Sequence, residues 1–186
     1  MPIGQAKFGL LGGVVDPGKL ELIETQTYSG AVSAVDFTSL GDYNVHFMTL
    51  NNIQGTDDVT SNRFYFYESG VLESASVYQW ARQINTTAGV GTEQKSTARD
   101  GITIFGSNDN NTNHKNNGYA YFYNLKDSSK YSFCTFQNGG KDYYETGFHF
   151  GSAVLPQASE VDGIRFTIGS GNYLSFDISL YGIAES

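Results

Sequence analysis

Along most of this chain hydrophobic and polar residues alternate with a period of two. In the C-terminal stretch Leu174, Phe176, Ile178 and Leu180 occupy one parity, and Ser175, Asp177, Ser179 and Tyr181 the other. This is the pattern of a strand with one buried face, and it predicts that the last element closes a sheet. Phe64 and Phe66 oppose Arg63, Tyr65 and Tyr67 in the same way, as Ile164, Phe166 and Ile168 oppose Arg165 and Thr167. The pattern predicts strands over residues 20–26, 34–38, 43–51, 63–68, 76–84, 102–105, 119–125, 131–137, 143–150, 164–168 and 173–183. Residues 75–84 would also suit a helix, but the surroundings are all strands and helical periodicity is nearly absent. About eleven short strands at close spacing predict an all-β fold, an antiparallel β-sandwich of jelly-roll type, over residues 19–186 as one domain.

Residues 1–18 behave differently. They have no sustained period and end in the turn signal Asp16-Pro17-Gly18, so they read as an N-terminal extended arm. Its apolar residues Ile3, Phe8, Leu10, Leu11, Val14 and Val15 are poorly placed in water. Either this is a frayed tail or those six side chains form a partner-binding segment that docks on a neighbouring subunit. Two further stretches, Asn85 to Gly101 and Gly106 to Gly118, are polar and glycine-edged and read as long surface loops, where a rigid sandwich binds ligands.

Composition narrows the function classes. Only 16% of residues are charged, against a usual share of roughly 25%. The abundance of Gly (22), Tyr (13) and Phe (13) favours strands and tight turns. The formal charge of -8 repels phosphate backbones and anionic lipid surfaces, which argues against nucleic acid as a partner. No apolar run is long enough to insert in a membrane as a helix. Cys134 is the only cysteine, so it has no intrachain disulfide partner, and its strand parity predicts a buried, inert thiol.

The chemistry-bearing residues are sparse. Asp109, Asn111 and Asn113 alternate as the start of a calcium loop does, but His114 stands where the sharp-turning glycine is needed and Ala120 where the closing glutamate would be. These three are metal candidates whose motif is incomplete, and no metal or other cofactor is expected. The three histidines lack ligand spacing, and no Gly-x-Ser-x-Gly elbow is present. Asp57, Asp58, Glu68, Glu73, Asp142 and Glu145 read as scattered surface carboxylates rather than a glycosidase pair. A non-enzymatic protein is therefore expected. The more suggestive groups are Tyr119, Tyr121 and Tyr123 on one strand face and Tyr65 and Tyr67 on another, with His114 in the adjoining loop. Exposed tyrosines offer large area with a polar tip, which suits a subunit interface or, second, a sugar ring.

Four short motifs carry a family resemblance: Asp36-Phe37-Thr38-Ser39 leading into a long strand, Ile164-Arg165-Phe166, the turn Gly169-Ser170-Gly171, and the terminal Leu180-Tyr181-Gly182-Ile183. With the aromatic middle and its polar loops, the chain after Lys19 resembles a diffuse family of virion structural proteins of tailed phages, many from marine hosts. The resemblance implies a β-sandwich on the outer surface of a phage particle, in a tail fibre, tail tip or capsid decoration. It implies other virion proteins as partners and a homo-oligomer, by analogy a trimer, and it carries over no catalytic residue. The alternative is a carbohydrate-binding receptor-recognition module that holds a host-surface glycan through its loops and tyrosines.

Overall fold

A computed structural model describes residues 19–58, 60–89, 91–106, 108–141 and 145–184. The arm expected over residues 1–18, with its six apolar candidates, lies outside the described residues, as does Asp142. Among the described residues there are thirteen strands and no helix: β1 Lys19–Val32, β2 Ala34–Phe37, β3 Val45–Gly55, β4 Ser61–Glu68, β5 Val71–Leu72, β6 Tyr78–Thr86, β7 Thr92–Arg99, β8 Ile102–Gly106, β9 Asn116–Tyr123, β10 Tyr131–Lys141, β11 Thr146–Ala158, β12 Val161–Ile168 and β13 Tyr173–Ala184.

All pairings are antiparallel. Eight strands form one sheet in the order β1-β13-β3-β9-β10-β11-β6-β7, and five form the other, β2-β12-β4-β5 with β8 beside β4. The two ends of the chain run together as a ribbon that crosses both sheets, β1 on β13 in the larger and β2 on β12 in the smaller. That winding makes the sandwich jelly-roll-like. The motifs Asp36-Phe37 and Ile164-Arg165-Phe166, far apart in sequence, are neighbours in it: Arg165 stands opposite Asp36 and donates two hydrogen bonds of 2.7 Å to its carboxylate.

The core lies between the facing sheets and is aromatic. Phe122 of β9 meets Phe64 and Phe66 of β4 edge-on, at 5.1 and 6.0 Å between ring centroids. Phe166 stacks on Tyr173 at 5.3 Å. Each buried aromatic contributes on the order of 1.5–3 kcal/mol by leaving water. The buried phenols are satisfied, as low-dielectric surroundings require. Tyr173 donates to Asn62 Oδ1 at 2.9 Å, and Tyr78 accepts from the Phe66 amide at 2.9 Å while donating to the Glu73 carbonyl at 3.1 Å. His46 lies in this layer too, donating from Nε2 to the Leu40 carbonyl at 2.9 Å. Burial holds its pKa below the ordinary value. Cys134 is fully buried and burial pushes its thiol up, so the thiolate is suppressed.

Three sequence expectations need correction. Residues 85–101 are not a loop: Thr92–Arg99 forms β7, an edge strand paired to β6 from Tyr78↔Arg99 to Ile84↔Thr92. Its residues are almost all exposed, so neither face imposes an apolar period. The stretch 106–118 is only partly superficial, because Asn108, Asp109 and Asn116 are buried at the end of the sandwich and Asn116 already belongs to β9. In β13, register shifts around Ser175 bury Tyr173 and Phe176 and leave Leu174 half-exposed, so the alternation breaks before Phe176. β13 is also not at an edge; it lies between β3 and β1.

Candidate functional site

The outward face of the larger sheet is the most unusual surface of the molecule. On β9 the inward parity is Gly118, Ala120 and Phe122, which leaves Tyr119, Tyr121 and Tyr123 outward. On β10 the outward residues are Phe133, Thr135 and Gln137, and on β11 they are Phe148, Phe150, Ser152 and Val154. Cross-strand register brings them side by side, Tyr121 opposite Thr135 and Thr135 opposite Ser152, with Gln137 between Tyr119 and Phe150. Phe133, Phe148 and Phe150 are 43%, 55% and 49% exposed. Several large apolar rings on one sheet face make a patch that water tolerates poorly, and such patches mark contact sites.

The face extends onto β3 and β13 through ring contacts. Phe47 lies 4.8 Å from Tyr121, 6.0 Å from Tyr119 and 6.1 Å from Tyr181, and Tyr123 stacks on Tyr121 at 6.4 Å. The phenolic tips are held sideways. Tyr119 donates to Gln137 Oε1 at 2.9 Å, and the Tyr123 and Thr135 hydroxyls share a hydrogen bond of 3.2 Å. Between β9 and β11 the surface dips into a shallow trough of about 560 Å³, bordered by the three tyrosines, Gln137 and Phe150 and floored by Thr135 and Ser152. A second depression of about 380 Å³ continues it toward β6 and β7, sharing Tyr123, Thr135 and Ser152.

Tyr119, Tyr121 and Tyr123 thus share one outward face of β9, whereas the other candidates do not join them. Tyr65 and Tyr67 lie on the outward side of the smaller sheet, half-buried and committed to structure. Tyr67 donates to Asp36 Oδ1 at 3.0 Å, with the Arg165 guanidinium 5.6 Å from its ring centroid, and Tyr65 sits beside Arg63 and Asp100. The Arg165 hydrogen bonds hold the Asp36 carboxyl below the usual carboxylate range, burial opposes this, and the Tyr67 bond adds to it. His114 points into its own loop, its Nδ1 donating to Asp109 Oδ2 at 2.6 Å.

Of the metal candidates, Asp109 is buried while Asn111 and Asn113 are exposed. Asp109 Oδ1 accepts the Asn111 amide at 2.7 Å, and Asn111 Oδ1 accepts the Asn113 amide at 3.0 Å. These are successive Asx turns, in which the Asp109 and Asn111 side-chain oxygens shape the loop. Among the described residues no group of three or more His, Cys, Asp or Glu side chains is placed to hold a metal ion.

Sequence reading missed the phenylalanines of this face. Phe133, Phe148 and Phe150 alternate with Ser132, Cys134 and His149, and hydrophobicity alone would turn the phenylalanines inward. The signal available was the opposite parity: Cys134, Phe136 and Ala153 make a continuous inner set only if Phe133 and Phe150 face out. No protein-family model matches the chain, and no curated protein matches it significantly.

Proposed function

We propose that this chain is a non-enzymatic structural subunit of a tailed-phage virion, exposed on the particle surface. In this reading it attaches through its N-terminal arm and meets a partner through the outward face of the larger sheet. The observation that carries the contact role is the exposed, uncharged aromatic face of β9, β10 and β11 on a fold whose own core is complete without it. The resemblance of the chain after Lys19 to phage virion proteins supports the setting, and the pairing of its Asp36 and Ile164 motifs as adjacent strands accords with their marking a fold rather than a chemistry. Several chemistry-bearing groups have structural roles: the Asp109–His114 pair shapes a loop, Cys134 is a buried thiol, and Glu73 accepts from the Ala75 amide and Gln157.

The test is immunogold labelling of gradient-purified particles with antibody against the folded chain. Label on the particle surface is the expected result. A chain found in infected-cell lysate but absent from purified particles would overturn the assignment.

A further inference from the structure

The aromatic face is not uniformly apolar, because hydroxyl and amide groups run through its middle. We propose that the trough between β9 and β11 binds a neutral oligosaccharide, an inference that rests on reading this face as the contact surface.

The orientation of the rings comes first. Tyr119 and Tyr123 reach side-chain partners on β10, the neighbouring strand, at 2.9 and 3.2 Å. Their rings are therefore tethered over the gap between the strands, with Tyr121 and Tyr123 near-parallel at 24° and Tyr119 turned 78° from Tyr121, so the row presents ring faces at two different tilts. A pyranose presents an apolar C–H face that stacks on such a ring, while the hydroxyls at its rim need hydrogen-bonding partners. Those partners are in place: Thr135 and Ser152 stand opposite each other on the floor, Gln137 lies at one end, and Phe150 forms the far wall.

Charge selects the class of sugar. No outward residue on β9 from Tyr119 to Tyr123, on β10 from Phe133 to Gln137, or on β11 from Phe148 to Val154 is ionisable in the neutral range. Lys95, at the far edge, lies 3.0 Å from Glu93. A uronate or sialylated chain would meet no unpaired cation in the trough and would be repelled by the net charge of -8. Length points to an oligomer, since the trough and its continuation toward β7 form one path through Tyr123, Thr135 and Ser152.

The experiment presents the full-length chain to an array of neutral glucan, mannan and galactan oligosaccharides with sialylated and uronate oligosaccharides beside them. Tyr121→Ala, Phe150→Ser and, as a distant control, Leu20→Ser are tested in parallel, with thermal melts to certify folding. Wild type and Leu20→Ser should bind at least one neutral oligosaccharide, and each trough variant should lose affinity about tenfold or more. Binding confined to acidic sugars, binding indifferent to Phe150→Ser, or no binding would overturn the proposal. If no sugar binds and Phe150→Ser turns an oligomer into a monomer by light scattering, the occupant is a second copy of the chain. The saccharide proposal then falls while the contact-surface reading stands; with neither effect, both fall.

Discussion

Strand β9 carries aromatic rings on both of its faces. Inward, Ala120 and Phe122 are fully buried against the smaller sheet; outward, Tyr119 is exposed and Tyr121 and Tyr123 are half-buried. Rings occur on both sides, so the presence of a ring alone does not tell core from surface. What separates them is the covering layer: the inner rings are enclosed by Phe64 and Phe66, whereas the outer rings touch only neighbours within their own sheet. The lesson is energetic. Inner rings hold the fold together, and outer rings leave apolar area available for a partner.

The comparison is broken most directly from the inside. Phe122→Ala should destabilise the protein by about 3–5 kcal/mol, because the cavity opens between two sheets that cannot both close on it. A fall in the urea midpoint at constant m-value would register this. Next comes Gly151, on the inward parity of β11 between Phe136 and Arg82. A Cβ there would run into the Ala81 carbonyl oxygen and Arg82 Cα of β6, so Gly151→Ala should cost about 1–3 kcal/mol by forcing the strands apart.

The outward side of the smaller sheet is a useful intermediate, since its polar contacts are structural. Asp36 and Arg165 are about one-third exposed, and Asp36→Asn should cost about 1 kcal/mol at pH 7 once solvent screening is allowed for. The pH dependence has a definite sign. The folded-state pKa of Asp36 is depressed below its ordinary 3.8, so the stabilisation is present above that value. It is lost as pH falls through the folded pKa, and wild type and variant should converge in acid. The smallest effect belongs to the outer aromatic face: Phe150→Ser should shift stability by less than about 0.5 kcal/mol in either direction. Thermal melts at matched concentration would check it, and a loss comparable to that of Phe122→Ala would erase the distinction between the faces.

Much of the architecture was legible in the alternation of residues, and the failures have physical causes. Strands with one buried face, such as β4 and β12, announce themselves because each step of two returns to the core. β7 did not, because an edge strand exposed on both sides leaves no hydrophobic trace and is held by backbone pairing to β6 and by the hydrogen bonds of Arg82 to Gln94. Leu174 was misplaced because a bulge resets parity without altering composition. The site was half legible. Three tyrosines two apart on one strand were readable as a shared face, but Phe133, Phe148 and Phe150 come from strands whose adjacency to β9 exists only in the folded sheet. The Asn-rich loop was placed too far outward for a related reason: the buried Asp109 carboxylate is satisfied by the Asn111 amide and His114 within the loop itself, so polarity there reports turn geometry rather than exposure.

The most direct test of the division between a structural inner face and a contacting outer face is hydroxyl-radical footprinting of the chain on purified particles, with and without host envelope. Protection confined to Tyr121, Phe133, Phe148 and Phe150, with Tyr65, Tyr67 and the exposed Val71 of the smaller sheet unchanged, is the predicted result. Full reactivity of the outer rings in both states, or protection centred on the smaller sheet, would contradict it.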